Sequence, residues 1–138
     1  MKKIILDCSA TLSLLLPDEV SQKGGALLSD LMTQGASVPS IWALEVANGL
    51  LTAQRRKRID RETRFLILNA LKDFSIIVDT HTPDYAFNKI SILAEEHGLT
   101  LYDAAYLELA IRLKGVLATF DEALIKTAKK MKVGLYFS

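Results

Sequence analysis

The chain opens with the segment KKIILDCSA, residues 2–10, which decides how the rest of the sequence is interpreted. Three consecutive apolar residues, Ile4 to Leu6, predict a short strand, and the lack of alternation with polar residues indicates that both of its faces are buried. Asp7 follows at once, and a helix is predicted from about Ser9 to Leu16, where Pro17 ends it. Buried strands separated by helices are typical of a parallel sheet covered on both sides.

The remainder of the chain continues this alternation. Further strands are predicted at 37–38, 75–78, 116–119 and 133–137, and further helices at 20–34, 41–56, 60–74, 82–97, 103–114 and 121–130. Together these elements predict one α/β domain over residues 1–138, a three-layer α/β/α sandwich with a central, mainly parallel sheet. Ligands of such sheets bind beyond the carboxyl ends of the strands.

The composition limits the classes of function. The 138 residues carry 17 Lys and Arg against 16 Asp and Glu, a formal net charge of +1, so any affinity for nucleic acid must come from local patches. The lone Cys8 excludes an internal disulfide framework and suits a reducing compartment. No run approaches the ~20 apolar residues of a membrane span. We therefore expect a soluble, cytoplasmic protein.

Four acidic residues lie where a soluble α/β chain does not normally carry carboxylates. Asp7 and Asp121 each follow a predicted strand, Asp103 opens an apolar helical segment, and Glu45 interrupts another in mid-helix. Taken singly, the aspartates could cap helices, and Glu45 could form a solvent-facing polar stripe with Asn48. Gathered at one sheet edge, the four could not all ionise without a cation. The set therefore predicts a site for Mg²⁺ or Mn²⁺, which prefer oxygen ligands.

Four ordered motifs carry a resemblance to a known family. They are LDCSA at 6–10, VP-x-x-W-x-x-EV-x-N at 38–48, LYDAAY at 101–106 and ATFD-x-x-L at 118–124. In this order and spacing, over essentially the whole chain, they resemble the PIN-domain family and, within it, the VapC-type toxin ribonucleases. The resemblance implies a catalytic and metal-binding quartet with three accessory polar residues: Asp7, Glu45, Asp103 and Asp121, with Ser9, Asn48 and Thr119.

The same resemblance implies an activity and partners. It implies Mg²⁺- or Mn²⁺-dependent cleavage of RNA phosphodiester bonds, a cognate antitoxin protein and a homodimer. Metal-activated water would attack the phosphorus, and a 3′-oxygen leaving group predicts 5′-phosphate and 3′-hydroxyl ends. One metal ion or two, and Glu45 as metal ligand or as base, stay open alternatives. Exposed apolar positions on Val20 to Leu31 or on Tyr85 to Leu93 are candidates for the dimer interface.

A basic segment follows the second motif and is a candidate for RNA binding. Arg55, Arg56, Lys57 and Arg58 are suited to phosphate contacts, although basic residues also suit the C-terminus of a helix.

Two competing functions fit parts of the sequence. A non-catalytic PIN-like module that binds RNA or protein would not need four desolvated carboxylates. A phosphatase-like domain using Asp7 and Lys126 would leave Glu45 unexplained. Cys8 as a nucleophile and His81 or His97 as a base lack partners at suitable spacing.

Overall fold

The computed structural model describes residues 2–19 and 22–137, and the side chains of Gln22 and Lys23 are outside that description. The strands are β1 (Ile4–Leu6), β2 (Ala36–Pro39), β3 (Ile76–Asp79), β4 (Val116–Ala118) and β5 (Gly134–Leu135). They form one sheet in the order β3-β2-β1-β4-β5, and every neighbouring pair is parallel. The predicted fold class, a parallel sheet within an α/β/α sandwich, is confirmed.

Helices cover both faces of the sheet. They are α1 (Cys8–Leu15), α2 (Gln22–Thr33), α3 (Trp42–Arg55), α4 (Arg61–Ala70), α5 (Thr82–Tyr85), α6 (Lys89–His97), α7 (Leu101–Leu113) and α8 (Glu122–Lys130), with a 3₁₀ turn at Leu71–Asp73. Because crossovers between parallel strands are right-handed, α1 to α4 lie on one face and α5 to α8 on the other. Contacts of α1 with α2 and α3, and of α7 with α6 and α8, agree with this division. Across residues 2–19 and 22–137, none of these helices has the length and apolar character that a bilayer crossing requires.

One predicted helix is two helices in the structure. The helix expected over 82–97 stops at Tyr85 and restarts at Lys89, because the backbone of Asn88 leaves the helical conformation. The Asn88 side chain then caps α6 by accepting a hydrogen bond from Lys89 N at 2.5 Å. The helix predicted over 20–34 is described from Gln22 to Thr33, and residues 20–21 lie outside the described part of the chain.

A glycine permits the close approach of α3 to α1. A Cβ atom at Gly49 would lie 2.7 Å from Leu12 Cδ1, which is too close for any larger residue without a shift of the leucine. The Leu12 side chain therefore packs directly against the backbone of α3 at this point. This contact brings the first turn of α3 towards the end of β1.

The strand order reverses between β1 and β4. The chain proceeds from β1 to β2 on one side, whereas β4 pairs with β1 on the other side. Such a reversal leaves a crevice at the carboxyl ends of the two strands, where ligands of open α/β sheets bind. Asp7 follows β1 and Thr119 follows β4 directly, so both lie in this crevice.

Candidate metal centre

Asp7 is buried at the carboxyl end of β1, with 4% of its surface exposed. As the cap of α1 it accepts hydrogen bonds from Ala10 N and from Ser9 Oγ, each at 2.8 Å, and a further one from the Thr119 hydroxyl. Burial raises the pKa of this carboxyl to about 6 although the hydrogen bonds oppose the rise, and the nearby Asp121 carboxylate adds to it. Asp7 is thus both a helix cap and a carboxylate that is costly to ionise.

Two hydroxyl groups join Asp7 to the loop after β4. Ser9 Oγ and Thr119 Oγ1 both donate to the Asp7 carboxylate. Each also accepts from the loop, since Phe120 N lies 2.9 Å from Ser9 Oγ and Asp121 N lies 3.0 Å from Thr119 Oγ1. Asp121 in turn caps α8 through Oδ1. The predicted accessory residues Ser9 and Thr119 therefore hold two of the predicted acids in place.

Glu45 enters the crevice from α3. It lies in the first turn of that helix, which begins at Trp42, and not in mid-helix as predicted. The Tyr106 hydroxyl on α7 donates to Glu45 Oε1 at 2.5 Å, so the side chain faces α7. A solvent-facing polar stripe, the alternative interpretation of Glu45, is therefore wrong.

Asp103 enters from α7 and does not cap it. The helix begins at Leu101, two residues earlier than predicted, because Thr100 caps it by accepting from Asp103 N at 3.1 Å. The cap interpretation therefore holds for Asp7 and Asp121 and is wrong for Asp103. The Asp103 side chain is half-buried in the first turn of α7.

The four acids form one electrostatically coupled group. Burial raises the pKa of Glu45, the Asp103 carboxylate raises it further, and the bond from Tyr106 opposes the rise. Burial also raises the pKa of Asp103, with a contribution from Asp121. The Asp121 carboxylate also raises the pKa of Asp7. Each of the four carboxylates is therefore repelled by at least one of the others.

The donor set suits a hard divalent cation, although the ligands stand apart. Carboxylate and hydroxyl oxygens are the groups that Mg²⁺ and Mn²⁺ prefer. Within residues 2–19 and 22–137, no three Asp, Glu, His or Cys side chains are gathered closely enough to hold an ion as they stand. Burial raises the pKa values of Asp7, Glu45 and Asp103, and in each case a neighbouring carboxylate adds to the rise. A bound cation would favour the ionised form of each carboxyl.

Sequence reasoning missed three residues that support the acids. Trp42 Nε1 donates to Thr11 Oγ1 at 3.0 Å, and Thr11 Oγ1 donates to the Asp7 carbonyl oxygen at 2.7 Å, which ties α3 to the end of β1. Tyr106 is the third. A tyrosine inside the apolar segment after Asp103 was a usable signal, because a buried hydroxyl needs a partner and residues three apart share a helix face.

Other predicted positions lie outside this group. Asn48 is exposed one turn after Glu45, and its side chain makes no hydrogen bond to the residues that the structure describes. Cys8 adjoins the site, but burial, followed by the charges of Glu45 and Asp7, raises the pKa of its thiol to about 12. A protonated thiol is a poor nucleophile, which argues against a catalytic Cys8.

The basic segment is divided by an ion pair. Arg55, Arg56 and Lys57 are exposed at the end of α3. Arg58 instead forms salt bridges at 2.7 Å to Asp18 and to Glu19 in the loop after α1. These salt bridges hold the end of the basic segment against the loop that follows α1.

Comparisons with known proteins identify the family and agree with the fold. A family model described as the PIN domain matches residues 4–130. Ribonuclease VapC3 of Pyrobaculum aerophilum is 32% identical over 122 residues, which are 88% of this chain and 92% of that protein. Among solved structures, PAE2754 from Pyrobaculum aerophilum has a TM-score of 0.67 and 23% identity, with 91% of this chain and 85% of that chain covered. FitAcB from Neisseria gonorrhoeae has a TM-score of 0.66 and 18% identity, with 96% of each chain covered. The resemblance carried by the four motifs is therefore confirmed, and the chain belongs to the PIN-domain family.

Proposed function

We propose that this chain is a metal-dependent endoribonuclease and the toxin of a type II toxin–antitoxin pair. The observation that carries the proposal is the coupled group of Asp7, Glu45, Asp103 and Asp121 at the point where the strand order reverses. Membership of the PIN-domain family and the similarity to a protein named a ribonuclease support RNA as the substrate. A module that only binds RNA or protein would gain nothing from four carboxylates whose burial opposes their ionisation.

The chain's own groups have separable roles in this reaction. A Mg²⁺ or Mn²⁺ ion bound to Asp7, Asp103 and Asp121 would supply a water of lowered pKa and stabilise charge on the phosphate. Ser9 and Thr119 fix the Asp7 oxygens by donating to them. Glu45, whose Oε1 accepts from Tyr106, keeps Oε2 for the ion or for the proton of the attacking water. The attacking water would lose a proton, to Glu45 or to solvent, as its oxygen bonds to phosphorus. The bond from phosphorus to the 3′-oxygen would break, and a proton from solvent would complete the 3′-hydroxyl beside the 5′-phosphate.

The exposed basic residues offer a path for the RNA backbone. Arg55, Arg56 and Lys57 would contact phosphates, and such contacts make binding weaker as salt rises. Arg58 contributes less to this path, because Asp18 and Glu19 already neutralise its charge.

Protein partners complete the proposal. The antitoxin follows from the resemblance to VapC-type toxins, and expression of this chain alone should arrest growth unless a cognate antitoxin is co-expressed. A homodimer is supported by apolar residues that α2 and the α5–α6 region expose, namely Leu28, Met32, Phe87 and Ile92. Light scattering on the eluted protein should give twice the mass of 15.3 kDa.

Cleavage of single-stranded RNA tests the proposed activity directly. We expect cutting in Mg²⁺ or Mn²⁺, none in EDTA, and a loss of at least about 10³-fold in the Asp103→Asn variant, since metal stabilisation of the charged phosphate is worth several kcal/mol. Asp84→Asn, which changes an exposed carboxylate on α5, is the matched control and should cut normally. Equal cutting by the parent and Asp103→Asn would indicate a contaminating nuclease. A folded parent that binds RNA and never cuts it would favour the interaction module.

Tyr106→Phe tests whether the tyrosine hydroxyl orients Glu45. The substitution keeps the buried ring and removes only the donor to Glu45 Oε1. Loss of a group that orients a metal ligand typically lowers metal affinity or activity by about 10- to 100-fold. We therefore expect the Mg²⁺ concentration for half-maximal cleavage to rise within that range. Tyr102→Phe, on the exposed side of the same helix, should leave it unchanged. An unchanged Mg²⁺ requirement with a lower rate at saturating Mg²⁺ would make Glu45 the base. No change in either quantity would mean that the hydroxyl only satisfies a buried polar pair.

A further inference from the structure

Phe120 lies immediately beside the acidic group, between Thr119 and Asp121. Its backbone N donates to Ser9 Oγ at 2.9 Å, so its position depends on the same hydroxyl that donates to Asp7. The residue nevertheless remains 36% exposed. An aromatic ring held at this point adjoins the place where a phosphate would meet the carboxylates.

The ring of Phe120 is fixed by the C-terminal segment. Phe137 stacks on it with the ring centroids 4.5 Å apart and the planes at 20°. Tyr136 packs edge-on against Phe137 at 5.0 Å, its backbone N donates to Leu117 O at 2.9 Å, and its hydroxyl donates to Asp30. Because Phe137 covers one face of the Phe120 ring, the exposed part belongs to its edge and its opposite face.

An open cleft of about 400 Å³ adjoins this side of Phe120. It is lined by Ser9, Leu12, Ser13, Glu19 and Phe120, and Phe137 is not among its walls. The cleft therefore has an apolar wall and a polar rim, which is the usual make-up of a site for a flat, hydrogen-bonding ligand. The Glu19 carboxylate in its wall is paired with Arg58 at 2.7 Å, so its negative charge is offset.

We propose that this cleft is a nucleobase subsite in which Phe120 stacks on the base next to the scissile phosphate. The inference rests on the proposed ribonuclease function and adds the form of RNA that the site accepts. Aromatic side chains stack on any unpaired base, whereas the bases of a duplex are already stacked on one another. The subsite therefore selects single-stranded RNA with little preference for the base. The Ser9 hydroxyl in its wall donates to the Asp7 carboxylate, so an occupant would adjoin the proposed reaction site, which favours a nucleotide over a peptide.

Binding measurements on Phe120 variants test this proposal. Fluorescence anisotropy would follow labelled RNA in Ca²⁺ buffer, at a protein concentration and time for which gels show the RNA intact. Phe120→Ala is expected to lose about 5- to 150-fold in affinity for a single strand, the range for one stacked base. Phe120→Tyr should keep the affinity within about 3-fold, since it retains the aromatic face. Affinity for a duplex should be the same for the parent and Phe120→Ala.

Two controls separate stacking from structural damage. Phe65→Ala removes a phenylalanine that is 45% exposed on α4 and should bind RNA as the parent does. Phe120→Trp adds an indole to a chain with one native tryptophan, the buried Trp42. Single-stranded RNA is expected to quench the fluorescence of this variant and to leave that of the parent unchanged, which a purely structural role would not produce.

The outcomes distinguish the subsite from the activity. Equal single-strand affinity of the parent and Phe120→Ala, with metal-dependent cleavage intact in both, would overturn the subsite and leave the nuclease standing. If Phe120→Ala kept its RNA affinity but was no longer inhibited by an antitoxin, the cleft would be a binding site for a protein partner. That result would also overturn the proposal. A parent that neither binds nor cuts RNA would overturn both.

Discussion

Replacing Asp7 by asparagine is expected to abolish cleavage and, at the same time, to stabilise the metal-free fold at neutral pH. The pKa of Asp7 is about 6 in the folded chain and near 3.8 in the unfolded one, because burial disfavours its charge. Its contribution to stability is therefore fully present below pH 4 and is lost as the pH rises through 6. At pH 8 the buried charge costs at most about 3 kcal/mol, which asparagine does not incur.

Thermal unfolding in EDTA at pH 4 and at pH 8 measures this effect. The variant should melt above the parent at pH 8, by roughly 3 °C for each kcal/mol, and the two should converge at pH 4. Added Mn²⁺ should raise the melting temperature of the parent and not that of the variant, because only the parent binds the ion. If Asp7→Asn melted well below the parent at pH 8 in EDTA, Asp7 would be a structural cap whose ionised form stabilises the fold.

Replacing Arg112 by methionine is expected to cost about 3–5 kcal/mol of stability, the range for breaking a buried ion pair. The guanidinium, on α7, donates to both oxygens of Asp79 at 3.0 and 2.7 Å and to both oxygens of Glu108 at 2.8 and 2.9 Å. It also lies 4.6 Å above the ring of Tyr85. The side chains of Asp79 and Glu108 are only 10% and 5% exposed, so methionine would leave two desolvated carboxylates unpaired.

Urea unfolding of Arg112→Met against Lys89→Met provides the matched comparison, since Lys89 approaches the same tyrosine ring at 5.2 Å from an exposed position. Lys89→Met should change stability by less than about 0.5 kcal/mol. The hydrogen bond from Arg112 lowers the pKa of Asp79 below its ordinary value of 3.8. The stabilisation from this pair is therefore fully present above pH 3.8, and it is lost as the pH falls through the lowered pKa. An Arg112→Met variant as stable as the parent would show that water reaches both carboxylates.

The parts of the site that sequence could predict depend on neighbours along the chain. Asp7 and Asp121 follow buried strands, and parallel strands place their carboxyl ends at one edge, so their meeting required only the fold class. Ser9 was predictable for the same reason, because it lies two residues after Asp7 in the first turn of α1.

The parts that sequence could not predict depend on how separate helices pack. The bond from Tyr106 to Glu45 joins residues 61 positions apart and exists only because α3 and α7 approach across the sheet edge. The salt bridge from Arg58 to Asp18 joins residues 40 positions apart. It neutralises a basic side chain that the sequence alone predicted to contact RNA. The stacking of Phe120 on Phe137 depends likewise on where β5 ends. Local patterns do not encode these distances.

Calorimetric titration of metal into the parent and Asp103→Asn tests the central claim, that the four acids form a divalent-cation site. We expect saturable binding of Mn²⁺ to the parent at pH 8 and binding at least about 10-fold weaker in the variant. Near pH 6 the parent should also release about half a proton per ion, because Asp7 must ionise to bind it. Equal binding by the two proteins, or no saturable binding by the parent, would contradict the account.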